Sequence, residues 1–237
     1  MSEPLARRLL AEALGTAMLV ATGVGAGIMS SRLAGGNEAL ALLGCTLPTG
    51  AMLVVLILTF GPVSGAHLNP AVSLALAARR QFPMPECAPY ILAQLAGAVL
   101  GVWGAHMMFE LPLLQVSTTA RTGTGQWLAE AIATFGLMLT IFGCAARTPA
   151  SVPLAVGLYI TAAYWFTAST SFANPAVTIA RALSDTFAGI APADVPAFVA
   201  AQCIGAFAGA AASMLLWPAP SEESAVPAAP PETPAGS

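Results

Sequence analysis

The apolar positions of this chain fall into long runs separated by short polar breaks. A hydrocarbon core of roughly 30 Å requires about 20 apolar residues in a helix. Six runs meet this length, and they predict membrane-spanning helices at about 6–30, 39–60, 86–109, 126–147, 151–169 and 194–217. Two shorter apolar pieces, 69–79 and 174–184, would each reach roughly 15 Å as a helix. We expect them to be half-helices that enter the membrane without crossing it.

The order of elements occurs twice along the chain. Ala11-Glu12-Ala13 recurs 118 residues later as Ala129-Glu130-Ala131, and Asn69-Pro70-Ala71-Val72 recurs 105 residues later as Asn174-Pro175-Ala176-Val177. A third set recurs after 108 residues: Gln94, Gly97 and Gly101 become Gln202, Gly205 and Gly209. We therefore predict a duplication, with one repeat at about 6–109 and the other at about 126–217. Each half holds three spans, so the second half enters from the opposite side and the repeat is inverted.

Composition agrees with a membrane protein. Of the 237 residues, 57% are hydrophobic and 8% are charged, whereas a soluble domain carries about a quarter charged residues. The eight basic residues are all arginines and form no basic patch, which excludes nucleic-acid binding. The four cysteines are scattered singly, so we expect them to pack, and we expect neither a metal nor a cofactor. Residues 218–237, rich in Pro and Ala, are expected to be a disordered tail that follows a membrane-embedded domain at 1–217.

The Asn-Pro-Ala motifs are helix starts at membrane depth. Asn is a preferred N-cap, and Pro suits the first helical position because its missing N–H is no loss there. The non-helical residues before Asn69 and Asn174 must be buried in protein or line a water-filled cavity. Inversion brings both N-termini together near the midplane, where each contributes a partial positive charge. Such a constriction suits neutral hydroxylated solutes and opposes cations.

These residues resemble the major intrinsic protein family, the aquaporins and aquaglyceroporins. The likeness rests on residues 64–72, on Asn174-Pro175-Ala176 and on residues 11–16. It implies an all-α membrane protein with six transmembrane helices and two re-entrant half-helices, and a homotetramer in the lipid bilayer with a pore in each subunit. It also implies a bacterial inner membrane. Five arginines against three favour a cytoplasmic N-terminus and C-terminus.

The two glutamates in spanning segments have two possible roles. Carboxylates inside a membrane are costly and are by default functional, so Glu12 and Glu130 could couple proton movement to transport. The family resemblance instead implies that each accepts hydrogen bonds from a re-entrant loop, which is the role we favour. His67, two residues before Asn69, is expected to line the pore without taking part in catalysis.

The selectivity filter departs from the family pattern. Most members have an arginine directly after the second Asn-Pro-Ala, where this chain has Val177. Counting without gaps from each Asn places the other filter positions at Thr49, Ala162 and Ser171, which makes the predicted filter small and uncharged. Arg181 lies four positions after Val177, about 6 Å further along the half-helix. A rival hypothesis is that Arg181 folds back and replaces the missing charge.

The sequence therefore predicts a passive channel for water, polyols such as glycerol, and other small neutral solutes. Val177 in its motif, and the stretch 171–181, are similar to a bacterial branch associated with arsenic resistance. That likeness implies passage of arsenite, an uncharged triol at neutral pH, and of methylated arsenicals. The alternatives are a water-selective aquaporin and a secondary transporter, which also uses inverted repeats and broken helices. An intramembrane enzyme or a structural junction protein is a more distant alternative.

Overall fold

A computed structural model describes residues 3–218 of the chain, and these residues form eight α-helices. The helices are α1 (Leu5–Leu33), α2 (Glu38–Ser64), α3 (Pro70–Ala78), α4 (Met84–Met108), α5 (Thr124–Arg147), α6 (Val152–Phe166), α7 (Pro175–Arg181) and α8 (Val195–Leu216). Short 3₁₀ turns at Pro149–Ser151 and Pro192–Asp194 lead into α6 and α8. Apart from Pro218, the predicted disordered tail lies outside the described residues.

Six helices are long and apolar enough to cross a membrane, namely all but α3 and α7. The order long, long, short, long occurs in α1–α4 and again in α5–α8. The six predicted spans and two half-helices are therefore present. The short helices are 9 and 7 residues long, which is too short to cross the hydrocarbon core.

The first and last helices of each half pack closely. Gly97 of α4 faces the backbone carbonyl of Ala13 in α1, and Gly205 of α8 faces that of Ala131 in α5. A Cβ at either glycine would clash with the carbonyl, so the absence of a side chain sets the helix separation. The repeated Gln/Gly segments thus pack against the repeated Glu segments, and the short helices lie between the two halves.

Candidate functional site

The site begins where the N-termini of α3 and α7 meet. Asn69 Nδ2 donates to the backbone carbonyl of Ala173 at 2.8 Å, and Asn174 Nδ2 donates to that of Leu68 at 2.8 Å. Each half therefore satisfies a carbonyl of the other half. An Asn amide has two N–H donors, so one hydrogen of each amide remains beyond these bonds.

The same asparagines cap their own helices. Asn69 Oδ1 accepts from Ala71 N at 2.9 Å, and Asn174 Oδ1 accepts from Ala176 N at 3.0 Å and from Val177 N at 3.3 Å. Pro70 and Pro175 occupy the first helical positions. These contacts fix each amide plane, because the oxygen is bound to the helix and the nitrogen to the opposite loop.

The two loops before the asparagines have an unusual backbone. Ala66 and Leu68 have φ of 47° and 50°, and Ser171 and Ala173 have φ of 50° and 46°. Left-handed conformations cost non-glycine residues roughly 1–2 kcal/mol each, so the surrounding structure must impose them. These residues lie between helices, so the loop carbonyls are not paired within a helix. Two of those carbonyls accept the asparagine bonds.

A buried carboxylate supports each loop. Glu12, fully buried, accepts from His67 N and Ser64 Oγ on one oxygen and from Leu68 N and Gln94 Nε2 on the other, at 2.7–2.9 Å. Its counterpart is arranged in the same way.

Glu130, also fully buried, accepts from Phe172 N, Ala173 N and Gln202 Nε2 at 2.6–2.8 Å. Hydrogen bonds occupy both oxygens of each carboxylate. Both glutamates thus hold loop backbone, and their matching sets of partners follow the repeat in the sequence.

A cavity lies between the two halves, with an empty volume of about 990 Å³ when its open ends are included. Its walls come from α1, α2, α3, α5, α6, α7 and both loops. Most wall residues are apolar, among them Leu53, Val72, Val156 and Ile160. Polar groups reach the cavity from Asn69, Asn174, His67, Thr49, Ser171, Tyr164 and Arg181. We call the end bounded by Thr49, Tyr164 and Arg181 the outer end, and the end near His67 and Leu76 the inner end.

His67 lines the cavity at the inner end. Its Nδ1 lies 3.0 Å from Ser73 Oγ, and its ring packs against Phe82 and Tyr90 with centroid separations of 4.7 and 5.2 Å. The ring is thus held in one orientation.

Three of the four predicted filter residues, Thr49, Ser171 and Val177, line the cavity. The prediction for Ala162 is wrong: its side chain is exposed on the outside of α6, and Tyr164 lines the cavity instead. Ile160 and Tyr164 are four positions apart and share a helix face, whereas Ala162 lies on another.

Arg181 also lines the cavity, one helical turn beyond Val177. Its Nε donates to the carbonyl of Ala188, and its guanidinium carbon lies 3.5 Å from the ring centroid of Phe172. Within residues 3–218 its two terminal nitrogens make no hydrogen bond. These donors are free for a solute at the outer end.

Ser171 provides a second free polar group. Its side chain is 3% exposed and lines the cavity, and its Oγ has no partner among the described residues. Thr49 Oγ1 donates to the carbonyl of Cys45 at 2.9 Å, which leaves its oxygen able to accept. Tyr164 and Phe172 were missed by the sequence analysis. The sequence did offer a signal for Phe172, because it lies two residues before Asn174 in the loop that leads into the second Asn-Pro-Ala motif.

Six helices able to span a membrane, with two short helices meeting at a lined cavity, define an integral membrane channel. In the described part of the chain, no group of three His, Cys, Asp or Glu side chains is placed to hold a metal ion.

Comparisons with known proteins identify the family. The model of a family described as major intrinsic protein matches residues 1–171 and 145–232. The aquaglyceroporin AqpS of Rhizobium meliloti is 55% identical over 202 residues, which are 85% of this chain and 86% of that protein. The probable aquaporin AqpM of Archaeoglobus fulgidus is 36% identical over 89% of this chain and 96% of its own. The chain belongs to the major intrinsic protein family, whose members are channels and not enzymes.

A solved structure shows the same fold. The X-ray structure of the aquaglyceroporin from Plasmodium falciparum superposes with a TM-score of 0.70 at 23% identity, covering 88% of this chain and 95% of that one. The predicted fold class, an all-α membrane protein of the aquaporin type, is confirmed.

Proposed function

We propose that the protein is a passive channel for small neutral hydroxylated solutes, with glycerol and water as typical cases. The observation that carries this proposal is the cavity itself, which has an apolar wall and a few polar groups held in fixed orientations. The relative named aquaglyceroporin AqpS supports the same solute class. A polyol has one carbon-rich side and one hydroxylated side, so it fits a wall of this kind without losing its hydrogen bonds.

The polar groups come from both halves. Loop carbonyls and Thr49 accept hydrogen bonds, and the second amide hydrogens of Asn69 and Asn174 donate them. The helix N-termini behind the asparagines add positive potential. Neutral solutes therefore find partners along the path, while cations meet repulsion at the constriction.

We propose Thr49, Tyr164, Ser171 and Val177 as the filter. Val177 brings neither charge nor donor, so the filter lacks the fixed fork of an arginine beside it. Arg181, whose terminal guanidinium nitrogens make no hydrogen bond in the described residues, lies about 6 Å further out along α7. This arrangement supports a filter that is wider at Val177 than one with an arginine there. The positive side chain, Arg181, lies one helical turn further out.

Arsenite and methylated trivalent arsenicals belong to the same proposal. Arsenite at neutral pH is an uncharged triol of about glycerol size, so the groups that suit a polyol also suit it. The similarity to AqpS and the valine in the second motif support this substrate.

Two alternatives make different predictions. A water-selective aquaporin would exclude glycerol at the filter. A secondary transporter would need a coupling-ion site, and both intramembrane carboxylates are instead occupied by loop backbone and Gln side chains. Gradient-coupled, saturable flux would favour the transporter.

The test is uptake of glycerol and of arsenite into proteoliposomes, comparing the native protein with Val177→Arg. Val177→Met is the matched control, since it adds length without charge. We expect the native protein to pass both solutes, the arginine variant to restrict them while water still passes, and the methionine variant to lie closer to native. Rejection of glycerol by the native protein would refute the proposal. Equal flux through all three proteins would show that Val177 is not at the constriction.

A further inference from the structure

Phe172, in the second re-entrant loop, contacts two arginines. The guanidinium carbon of Arg181 lies 3.5 Å from the ring centroid, and that of Arg121 lies 4.9 Å from it. Arg121 comes from the connection between α4 and α5, far from Arg181 in sequence. A π face stabilises a nearby cation, so this one ring helps two like charges to lie near each other at the outer end.

Backbone groups hold the Arg121 side chain in place. Its Nε donates to the carbonyl of Gly189 at 2.7 Å, and its Nη1 donates to that of Ser169 at 3.4 Å. Asp194 accepts from the backbone N of Arg121 at 2.7 Å rather than from the guanidinium. Among residues 3–218, neither Arg121 nor Arg181 forms a salt bridge.

The inner end has a comparable arginine and aromatic ring, but there the arginine is paired with a carboxylate. There Arg8 pairs with Glu86 at 2.7 Å and lies over the ring of Tyr90, whose hydroxyl donates to the carbonyl of Ser64. The matching carbonyl in the second half is that of Ser169. Phe198 occupies the place of Tyr90 and lacks the hydroxyl, and Arg121 supplies the donor instead.

The outer end therefore holds two guanidiniums that no carboxylate pairs with directly in the described residues. Glu130 is the described carboxylate whose charge acts on both guanidiniums, and it is occupied with the loop backbone. Asp194 also lies nearby, but it is bound to the backbone N of Arg121, so no carboxylate pairs with either guanidinium in the described residues. Burial, and next the charge of Arg181, lowers the pKa of Arg121 to about 10, so Arg121 stays charged at neutral pH.

We propose that Arg121 and Arg181 together form a cation barrier at the outer end of the channel, which makes Arg121 a specificity-determining residue. The barrier takes over the electrostatic part of the role that an arginine at position 177 would have, and it leaves the filter beside Val177 open for larger neutral solutes. Its charges act in a low-dielectric setting, where repulsion of a passing cation is stronger than in water. This inference rests on the proposed channel function.

The test measures proton and sodium leak into proteoliposomes under an imposed membrane potential, with glycerol uptake recorded on the same vesicles. We expect Arg181→Gln and Arg121→Gln each to raise the cation leak on the order of tenfold, and the double variant to raise it further. Arg121→Lys keeps the charge and should leak little more than native. Arg32→Gln is the matched control, because Arg32 is exposed and contacts Phe109 away from the cavity.

A native-like leak in Arg181→Gln and in Arg121→Gln would overturn the barrier. If Arg121→Lys leaks as much as Arg121→Gln, the residue acts by bracing carbonyls and its assignment as a specificity determinant is wrong. If Arg121→Gln fails to fold, Arg181→Gln decides whether the barrier exists, and Arg121→Met, which removes the charge and keeps a long side chain, takes the place of Arg121→Gln. Native vesicles that pass no glycerol would refute the proposed function, while the leak ratio between variant and native would still test the barrier.

Discussion

Single buried side chains hold the backbone that surrounds the constriction. The loop before α7 has three left-handed residues, Thr170, Ser171 and Ala173, and its N–H groups at Phe172 and Ala173 point to Glu130. A loop in this conformation cannot pair its own N–H groups in a helix or sheet, so it depends on a fixed acceptor. A carboxylate is suitable because both of its oxygens accept and neither donates.

Glu130→Gln tests this dependence. The amide keeps the shape but replaces one acceptor by a donor that faces N–H groups, so we expect the unfolding free energy to fall by about 2–3 kcal/mol. Unfolding of the purified protein in detergent micelles measures it. Glu110→Gln, at an exposed position in a connection, is the control and should change little. Equal stability of both variants would show that the carboxylate is not what holds the loop.

Residue roles that follow local rules were predictable, and those that depend on distant contacts were not. Asn69 and Asn174 could be assigned as caps because Asn-Pro starts a helix wherever it stands. Tyr164 could not be assigned without knowing which face of α6 turns inward. Arg121 lies about 50 residues before its partners Ser169 and Phe172, and no spacing rule links such positions.

At the scale of elements, the fold depends on two close helix pairs. In α1 with α4, and in α5 with α8, a glycine lies against the carbonyl of an alanine that follows a buried glutamate. The spacing of these pairs was visible in the sequence as Gly-x-x-x-Gly. Their partners were not visible, because the pattern indicates a small-residue stripe and not the helix it faces.

Gly97→Ala should force α4 away from α1. A Cβ there meets the Ala13 backbone, and we expect a loss of about 1–3 kcal/mol in unfolding free energy, as for other overpacked interfaces. Gly104→Ala, on the same helix with nothing within 4 Å of the added Cβ, is the control and should be neutral or stabilising by about 0.5–1 kcal/mol. Unfolding of both variants in detergent measures the two changes in unfolding free energy. Similar losses of stability in both variants would show that alanine disturbs α4 itself and that the contact with Ala13 is not the cause.

The connection between α4 and α5 docks on the segment after α7 through Asp185. This exposed carboxylate accepts from the backbone N and the hydroxyl of Thr118 at 2.8 and 3.0 Å. Those two donors, the backbone N–H first, hold the pKa of Asp185 below its ordinary value of 3.8. A lowered pKa means that the stabilisation is present above pH 3.8 and is lost as the pH falls through the folded-state value.

Hydrogen exchange over residues 111–121, corrected for intrinsic rates, measures this docking. We expect exchange in the native protein to rise as the pH falls below 3.8, because the protonated carboxyl no longer holds Thr118. Asp185→Asn should show raised exchange already at neutral pH. Native-like exchange in that variant would mean that other contacts, such as Ser117 N to the carbonyl of Ala182, hold the segment without it.

At the scale of the molecule, six candidate spans would place the start of α1 and the end of α8 on one side of the membrane. The distribution of arginines favours the cytoplasm for that side. Many large apolar side chains are exposed on the helices, among them Leu92, Leu100, Leu158 and Leu215. These side chains are suited to contact lipid or neighbouring subunits. We propose a homotetramer in the bilayer, and this proposal rests on family membership alone.

Labelling of intact cells with a membrane-impermeant thiol reagent tests the orientation. Leu114 lies in the connection between α4 and α5, and its side chain is 82% exposed. Leu114→Cys should therefore be labelled from outside the cell. Gln81→Cys, exposed between α3 and α4, should be labelled only after lysis. The native protein measures how much label its own four cysteines take up. The reverse pattern would place the termini outside the cytoplasm.

The crossed asparagine bonds have a consequence for synthesis. Leu68 and its partner Asn174 are 106 residues apart, so at about 5–20 residues per second the ribosome needs roughly 5–20 s to make the second after the first. During that interval the first re-entrant loop lacks the amide that binds the carbonyl of Leu68. Each re-entrant loop needs the asparagine of the other half to satisfy one of its carbonyls. The first re-entrant loop therefore reaches its final hydrogen bonding only after the second half has been synthesised.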